Sequence, residues 1–539
     1  MAALKMPSKY LTNLFSHPHI MTVLRHHTAL SNCSLASALA LTLCGALALL
    51  LAGCAANSPQ LTVPIAAPLQ WYAPLPASSA AAAPTLTTNV ANSLPHNGSL
   101  TSLSQWWHQQ NDPLLVDLID AAQVVSPSII TARSNIQQAQ AARDVSAAAL
   151  LPTLDASGNF NRSLPAPINR TTVPALVNSA QLGLQTSWEI DLFGQNAASL
   201  NADSERFLGA EARWHEARVT VAAEVANYYY NFRACEKQLA VASADALSRR
   251  QTSRLTEQLT AAGFAAPATA GLARASAAEG NSRMIAQRAE CELVIKALSA
   301  ITAFQEPELK QKLALAAPAA PQQGIAEIFS VPAEVLGQRP DVYSAARELT
   351  AASFEVGSAR AQRYPRLSLN GSIARSRVKT RGFTQGFETW SIGPIALTVP
   401  LFDGGAADAN VDAAKARYEE AAGKYRGTVR QAVREVEEAL VNLQSTADRN
   451  VDTMVAAEGY TASFEGTQAR YKAGLASLVE LEDARRVLLA AQSGLVGLER
   501  ERRSAWIALY RALGGGWTTA APMATPMVFS IPQAFLPDW

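Results

Sequence analysis

The sequence predicts a mostly helical fold that also contributes strands to a transmembrane β-barrel. Three observations support this prediction: an internal duplication, four alternating segments, and helical stretches too long for a globular domain. The 539-residue chain is 49% hydrophobic but only 7% aromatic, because Ala and Leu dominate its apolar residues. This composition is typical of closely packed helices rather than of a β-sandwich.

The duplication is visible as identical residues that recur at one offset of 211 positions. The matched pairs are Glu224 and Glu435, Val225 and Val436, Asn231 and Asn442, Gly263 and Gly474, Arg274 and Arg485, and Leu298 and Leu509. A single spacing that holds over about 75 positions indicates a repeated architecture. We therefore expect each half of the chain to contain the same order of strands and helices.

Four segments with period-two alternation predict two β-hairpins. Residues 152–162 pair with 181–191, and residues 366–373 pair with about 390–401, where Pro394 shifts the alternation. Polar loops are predicted over the stretches between the strands, at 163–179 and 377–389. Strands of about ten residues suit a membrane barrel, but four strands cannot close one. We expect a dimer with eight strands or a trimer with twelve; two soluble hairpins packed on helices are the alternative.

The second half contains 121 consecutive residues without proline. Within this stretch the apolar residues follow a 4,3,4,3 spacing, at Val429, Val433, Val436, Leu440 and Leu443. Such a heptad pattern indicates helix-on-helix packing. A helix over about 407–473 would be roughly 100 Å long, which exceeds the size of a globular domain.

Glycines are predicted to end the two long helices. Gly474, and its counterpart Gly263 in the first half, can adopt the positive φ that terminates a helix. Ser477 follows Gly474 at a position where its hydroxyl can cap the next helix. The sequence therefore predicts a helical hairpin in each half.

The N-terminus has the features of a bacterial lipoprotein signal. Basic residues precede an apolar run over 35–51, which leads into the sequence Leu51-Ala52-Gly53-Cys54. We expect residues 1–53 to be removed and Cys54 to carry acyl chains that anchor the protein to a bilayer. Ala55 follows, rather than the Asp of an inner-membrane retention signal, which favours the outer membrane. Met1, Met6 and Met21 are alternative start sites. No later apolar run is long enough for a spanning helix, so any membrane crossing must use strands.

Charge and histidine content argue against several classes of protein. A formal net charge of +1 lacks the basic field of a nucleic-acid-binding protein. Beyond the signal only His96, His108 and His215 occur, without metal-ligand spacing. There is no phosphate-binding loop and no nucleophile elbow. We therefore predict a protein that is not an enzyme and has no metal or cofactor.

Several motifs give the chain a family resemblance. They are Leu-Gly-Gln-Arg-Pro-Asp-Val at 336–342, Tyr-Pro-Arg-Leu-Ser-Leu at 364–369, Val-Pro-Leu-Phe-Asp-Gly-Gly at 399–405 and Ala-Leu-Gly-Gly-Gly-Trp at 512–517. With these motifs the chain resembles the TolC-like outer-membrane factors, specifically the NodT-type efflux lipoproteins. Ala346 stands where such proteins usually carry an acidic residue, so we expect a local ion pair to be absent.

The resemblance implies a homotrimer with a twelve-stranded barrel in the outer membrane and a helical tunnel through the periplasm. It implies two partners, a periplasmic adaptor and an inner-membrane pump of the RND type, and the export of small molecules such as drugs. The alternatives are a lipid-anchored periplasmic coiled-coil scaffold and the outer-membrane duct of a type I secretion system.

The chain is expected to divide into six segments. Residues 1–53 form the signal, 54–104 an N-terminal linker and equatorial segment, 105–304 the first efflux repeat, 305–331 an equatorial connector, 332–517 the second repeat and 518–539 a C-terminal equatorial segment.

Two carboxylates are candidates for a gate at the periplasmic end. Glu480 and Asp483 share a helix face because they lie three residues apart, and the resemblance places them at the periplasmic aperture. In a trimer they would form a ring that repels anions and attracts cations. An ordinary solvated helix face is the alternative.

The hairpin tips are candidates for docking the adaptor. We expect Arg470, Gly474 and Ser477 to form the docking tip, together with the equivalent glycine of the first repeat, Gly263. The first repeat carries Leu259 where the second carries Arg470, so the adaptor need not use both tips equally. A turn that merely requires glycine is the alternative.

A disulfide is predicted between Cys235 and Cys291. Both lie 28 residues from Gly263, one before it and one after it, so an antiparallel hairpin that turns there brings them level. Cysteines that face each other in an oxidising compartment tend to pair. Two buried small residues in a tight seam are the alternative.

Overall fold

The computed structural model describes residues 72–73, 106–109, 112–166, 174–316, 336 and 339–516. The predicted signal, Cys54 and the segment 518–539 lie outside these residues. The helices are α1 (Trp106–Gln109), α2 (Pro113–Val125), α3 (Pro127–Ala148), α4 (Gln195–Ala261), α5 (Pro267–Thr302), α6 (Glu306–Leu315), α7 (Pro340–Ala361), α8 (Ala406–Lys472) and α9 (Leu478–Ala512), followed by a 3₁₀ turn at Gly514–Gly516. The strands are β1 (Thr153–Ser163), β2 (Val177–Ile190), β3 (Arg366–Thr380) and β4 (Phe383–Thr398).

The duplication predicted from the sequence appears as two equivalent helical hairpins. Helices α4 and α8 have 67 residues each, which corresponds to a length of about 100 Å. The returning helices α5 and α9 have 36 and 35 residues. Helix α4 packs against α5, α3, α7 and α9, and α8 packs against α9 and α7. The long helices therefore obtain their stability from lateral packing along their length.

Two clusters of buried side chains hold these helices together. One joins α7, α8 and α9 and includes Val429, Val436, Leu440 and Leu443, which confirms the heptad seam. The other joins α2, α4, α5 and α6 around Tyr229, which is fully buried. Its hydroxyl donates a 2.6 Å hydrogen bond to the carboxylate of Asp112, so the one polar atom of this ring is satisfied.

The four strands form one antiparallel sheet in the order β1-β2-β3-β4. Strand β2 joins the two halves, because it pairs with β1 on one side and with β3 on the other. Pro394 lies beside an irregularity, where Leu369 opposes Ile395 but Gly371 opposes Ile392. The predicted shift of alternation at Pro394 is therefore a bulge in β4.

The prediction of a loop over residues 377–389 is wrong. Strands β3 and β4 continue through this region and are joined by Arg381 and Gly382 alone. Both residues have positive φ, 45° and 87°, as a two-residue turn of type I′ requires. The prediction failed because the apolar face of the strands becomes polar here, with Arg377, Lys379 and Glu388. The other face carries only scattered apolar residues, such as Phe383 and Phe387, so the alternation signal is weak.

One face of the sheet is apolar and exposed. It includes Leu154, Leu182, Trp390 and Ile392, of which Trp390 is 75% exposed. An exposed apolar patch spread over four strands marks a surface that another molecule or a membrane covers. Among the described residues no single helix has the length and apolarity to span a membrane. One pair bent by 48°, Pro113–Val125 with Pro127–Ala148, meets these criteria on length and composition.

Candidate functional site at the hairpin tips

The first tip, residues 262–266, closes the hairpin of α4 and α5. Gly263 adopts a φ of 81°, and its N–H donates to the carbonyl of Thr260 at 3.1 Å. The N–H of Phe264 donates to the carbonyl of Leu259 at 2.8 Å. This pair of bonds is a Schellman motif, which satisfies carbonyls that the end of a helix leaves free.

The second tip, residues 473–477, repeats this geometry in the hairpin of α8 and α9. Gly474 has a φ of 74° and bonds the carbonyl of Tyr471 at 3.0 Å, while Leu475 bonds the carbonyl of Arg470 at 2.8 Å. Arg470 also donates through Nη2 to the carbonyl of Leu475 at 3.2 Å. The structure thus brings Arg470, Gly474 and Ser477 together at one turn and places Gly263 at the equivalent turn.

Each tip presents one large apolar side chain that the sequence interpretation missed. Phe264 is 83% exposed and Leu475 is 71% exposed, and they are equivalent at the 211-residue offset. In a Schellman motif this position usually packs against the preceding helix, but here both side chains remain largely exposed. The signal in the sequence was an apolar residue directly after the turn glycine in both repeats.

Ser477 caps α9, as the sequence predicted. Its Oγ accepts from the N–H of Glu480 at 3.2 Å, and the Glu480 carboxylate accepts from the N–H of Ser477 at 2.9 Å. This reciprocal pair is a capping box. Glu480 therefore has a structural role beside any role of its charge, and the Ser-x-x-Glu spacing could have revealed it.

The two candidate gate residues are both exposed on α9. Asp483 accepts a hydrogen bond from Arg486 at 3.0 Å, one turn further along the helix, and both side chains are well exposed. The pair Glu480 and Asp483 thus adds carboxylate charge to the surface beside the second tip, partly balanced by Arg486.

A network of buried charges joins the two hairpins above the tips, and we call it the interhairpin network. Arg249 of α4 donates to Asp245 at 3.0 Å and to Glu482 of α9 at 2.6 Å. Ser276 of α5 donates to the same Glu482 oxygen at 2.8 Å. Arg249 is 5% exposed and Arg485, which also pairs with Glu482, is 2% exposed.

Arg485 extends the network back to α4. Its Nη2 donates to the hydroxyls of Ser248 and Thr252, each at 3.0 Å. Burial lowers the pKa of the Arg485 guanidinium, but an arginine remains charged in a protein. Closer to the tips, the hydroxyls of Thr256 and Tyr471 share a 2.9 Å hydrogen bond. Helices of both repeats are therefore joined by polar contacts near their ends.

Cys235 and Cys291 form a disulfide between α4 and α5. Their Cα atoms lie 5.6 Å apart, a normal separation for a bridged pair, and both residues are buried. The bond ties the two arms of the first hairpin together at a level 28 residues from the Gly263 turn.

The arginine of the Leu-Gly-Gln-Arg-Pro-Asp motif joins three helices at a level near the middle of α8. Arg339 donates to Asp341 at 2.7 Å, to Glu435 of α8 at 2.8 Å, and to the carbonyl of Ala512 at 2.8 Å. Burial raises the pKa of Glu435, but hydrogen bonds from Gln431 and Arg339 outweigh burial and leave it lowered. Ala346 packs against the apolar cluster of α7, α8 and α9 instead of forming an ion pair.

A short N-terminal stretch docks on α8. The backbone N–H groups of Tyr72 and Ala73 both donate to the carboxylate of Glu437, each at 2.7 Å. In the part of the chain that the structure describes, no group of three or more His, Cys, Asp or Glu side chains could hold a metal ion.

Comparison with known proteins agrees with this architecture. The family model described as outer membrane efflux protein matches residues 118–302 and 331–515. The chain is 30% identical to the outer membrane protein OprJ of Pseudomonas aeruginosa over 417 residues, which cover 75% of this chain and 85% of OprJ. It is 28% identical to the solvent efflux pump outer membrane protein SrpC of Pseudomonas putida, with 76% of this chain and 87% of SrpC covered.

A solved structure shares the fold. The outer membrane protein VceC of Vibrio cholerae superposes with a TM-score of 0.67 at 26% identity, covering 77% of this chain and 99% of VceC. The helical hairpins with a four-stranded sheet, and the resemblance read from the sequence motifs, are thereby confirmed. The chain belongs to the outer membrane efflux protein family.

Proposed function

We propose that this protein is the outer-membrane channel of a tripartite efflux system and exports small molecules through a continuous duct. The observation that supports this most directly is the junction of an exposed apolar sheet with helices about 100 Å long. A sheet of this kind suits a bilayer, and helices of this length suit a tunnel beneath it.

The working form is a homotrimer. The sheet has two open edges, β1 and β4, and exposed strand edges pair with other strands. Three copies joined edge to edge give twelve strands, which is enough to close a membrane barrel, whereas the four strands of one chain are too few. The barrel lies in the outer membrane, in keeping with the names of OprJ and SrpC.

The transported compounds are small and partly apolar. Relatives carry names such as solvent efflux pump, toluene efflux pump and antibiotic efflux pump outer membrane protein. A duct selects little by itself, so the range of compounds depends on an inner-membrane pump, for which we propose the RND type.

Cys54 anchors the chain to the membrane through acyl groups. Glu437, which holds Tyr72, lies 31 residues after the start of α8 at Ala406, or about 46 Å along the helix. The 18 residues from Cys54 to Tyr72 can span at most about 60 Å. The tether is therefore long enough for a lipid at Cys54 to reach the level at which α8 begins.

A periplasmic adaptor docks on the hairpin tips. Gly263 and Gly474 shape the two turns, and Arg470 and Ser477 give the second tip its polar character. The exposed Phe264 and Leu475 add an apolar contact at each tip. Rigid helix ends with an apolar centre and a polar rim fit the general anatomy of a protein interface.

Glu480 and Asp483 regulate the periplasmic aperture. Both carboxylates are exposed beside the second tip, where three copies would place six negative charges around the axis. Such a ring attracts cations and disfavours anions. The interhairpin network supports the closed arrangement by holding α9 against α4 and α5.

Reconstitution tests the proposal. The purified full-length protein should migrate as a heat-sensitive trimer and should produce stepwise currents in planar bilayers. Deletion of its gene should lower resistance to small toxic compounds and leave protein secretion unchanged. A trimer that never conducts would favour the periplasmic scaffold, and a secretion defect without sensitivity would favour a type I duct.

A further inference from the structure

The outward face of β3 changes from apolar to basic part-way along the strand. On β3 the residues of this face begin with Leu367, Leu369, Gly371 and Ile373 and continue with Arg375, Arg377 and Lys379. Ile373 lies between Leu184 and Trp390 in the register, so the apolar stretch extends across the neighbouring strands. The basic stretch of β3 begins one row further from the helices, in rows that also contain Leu182 of β2 and Phe160 of β1.

The same basic level continues onto β1. Lys379 opposes Asn178, and Asn178 opposes Arg162, so Arg162 shares a row with Lys379. We call Arg162, Arg375, Arg377 and Lys379 the basic band. The register places one carboxylate on this face at this level: Glu388 opposes Arg375, with 3.8 Å between Nη1 and Oε1.

The side chains of the basic band are available for binding. All four residues are exposed, and the Arg375 side chain is 81% exposed. Within the described ranges, no ion-pair partner contacts Arg162, Arg377 or Lys379. The alternate residues Ala374, Ser376 and Val378 are half-buried, as expected for the inner face of a curved sheet.

The height of the basic band above the helices determines whether its side chains face lipid headgroups or open solvent. Arg375 lies eight residues beyond Leu367, about 27 Å along a strand. A strand tilt of about 40° reduces this to roughly 21 Å of height, close to the apolar band of about 25 Å in outer-membrane barrels. The band therefore starts at the level where acyl chains give way to headgroups.

We propose that the basic band binds the phosphate groups of the glycolipid in the outer leaflet, lipopolysaccharide. This inference depends on the proposed barrel. Arginine and lysine bind phosphate through charge-assisted hydrogen bonds, and basic clusters beside a bilayer recognise anionic headgroups. A free phosphate ion would match the charges alone, whereas a phosphorylated lipid matches both the charges and the apolar face beneath them.

Binding of lipid A provides the test. The purified full-length protein in neutral detergent is titrated with fluorescent lipid A that carries both phosphates, and separately with dephosphorylated lipid A. The variant Arg375→Gln/Arg377→Gln/Lys379→Gln removes three charges of the band. Its control, Lys415→Gln/Lys424→Gln/Arg434→Gln, removes three exposed charges of α8.

The wild type and the control should prefer the phosphorylated lipid, and added salt should weaken this preference. The band variant should bind it more weakly by roughly fivefold per removed charge, on the order of 100-fold in total. Equal binding of both lipids by the wild type, or equal loss in the two variants, would overturn the inference. Currents in phosphate-free bilayers separate the two proposals, because a conducting protein without lipid A preference contradicts this inference alone.

Discussion

Gly280 lies so close to Arg249 that a Cβ at position 280 would stand 2.7 Å from the Arg249 Cδ. The small residue on α5 therefore makes room for the buried arginine that links α4 to α9. The geometry of the interhairpin network therefore depends on the absence of a side chain at position 280 as well as on the charges of the network.

Gly280→Ala should destabilise the folded protein by about 1–3 kcal/mol, the usual range for overpacking a buried site. The arginine would have to move away from Asp245 and Glu482, which hold it at 3.0 and 2.6 Å. Thermal unfolding measures the change. Gly271→Ala on the same helix is the control, because nothing lies within 4 Å of its added Cβ, and it should be neutral or stabilising by about 0.5–1 kcal/mol. Equal midpoints for the two variants would contradict this role of Gly280.

Thiol labelling of denatured, unreduced protein should detect neither Cys235 nor Cys291. Reduction should expose two reactive thiols per mature chain. Replacing both cysteines by Ser should lower the free energy of unfolding by about 4 kcal/mol in the entropic model, because the bond closes a long loop. Two thiols that react without reduction would show that the bond does not form.

Arg339→Ala should cost about 3–5 kcal/mol, because it leaves the half-buried carboxylates of Asp341 and Glu435 without their shared partner. The exposed pair of Arg434 and Glu438 provides the control, since Arg434→Ala removes an exposed pair worth about 1 kcal/mol or less. Guanidinium unfolding compares the two. A similar small loss in both would contradict the anchoring role of Arg339.

The contact between Arg339 and Glu435 predicts that the stability of the folded protein depends on pH. Because the pKa of Glu435 is lower when folded, its contribution to stability is present above the ordinary glutamate pKa and is lost as the pH falls through the folded value. Glu435→Gln should therefore be less stable at neutral pH and should lose less stability on acidification than the wild type. If the free energy of unfolding of the wild type and of the Glu435→Gln variant fell in parallel with decreasing pH, this contribution of Glu435 would be excluded.

Neutralising the candidate gate should reduce cation preference. In Glu480→Gln/Asp483→Asn both charges are removed, while a glutamine at position 480 can still complete the capping box. Reversal potentials measured in asymmetric salt should shift toward the equilibrium potential of the anion. Ser477→Ala is the opposite control, since it weakens the cap by about 1 kcal/mol and keeps both charges. An unchanged reversal potential in the double variant would remove the gate hypothesis.

Tip variants should lower drug resistance without lowering the amount of trimer. We expect this for Phe264→Ser, for Leu475→Ser and for Arg470→Ser, because all three side chains are exposed and exposed positions contribute little to stability. Val451→Ser, at an exposed apolar position on α8, should leave resistance unchanged. Full resistance in all tip variants would place docking elsewhere.

The sequence predicted features that depend on position along one element. The Cys235 and Cys291 pairing followed from equal distances to Gly263, since a straight hairpin preserves such distances. The interhairpin network could not be predicted in this way. Which face of α4 meets α9 depends on the twist and packing of several helices, and a buried Arg249 looks the same in sequence as an exposed one.

The predicted site residues also divide into those set by local sequence, which could be predicted, and those set by tertiary packing, which could not. The turn role of Gly474 and the cap of Ser477 follow from local backbone chemistry and were accessible. The Glu480 carboxylate accepts the second hydrogen bond of the cap, from the N–H of Ser477. The Ser-x-x-Glu spacing was visible in the sequence, but Glu480 was interpreted only as a charge. The exposure of Phe264 and Leu475 required the structure, because an apolar residue after a turn usually packs inward.

The equivalence of the two tips has a consequence for symmetry. Both turns have the same backbone, so a ring of three chains would present six hairpin ends of nearly equal shape. Their chemistry differs, because Arg470 recurs in every second end and Leu259 in the others. The rim of such a ring would therefore be close to sixfold in shape and only threefold in charge. A partner that recognises charge could distinguish neighbouring hairpin ends, whereas a partner that recognises only shape could not.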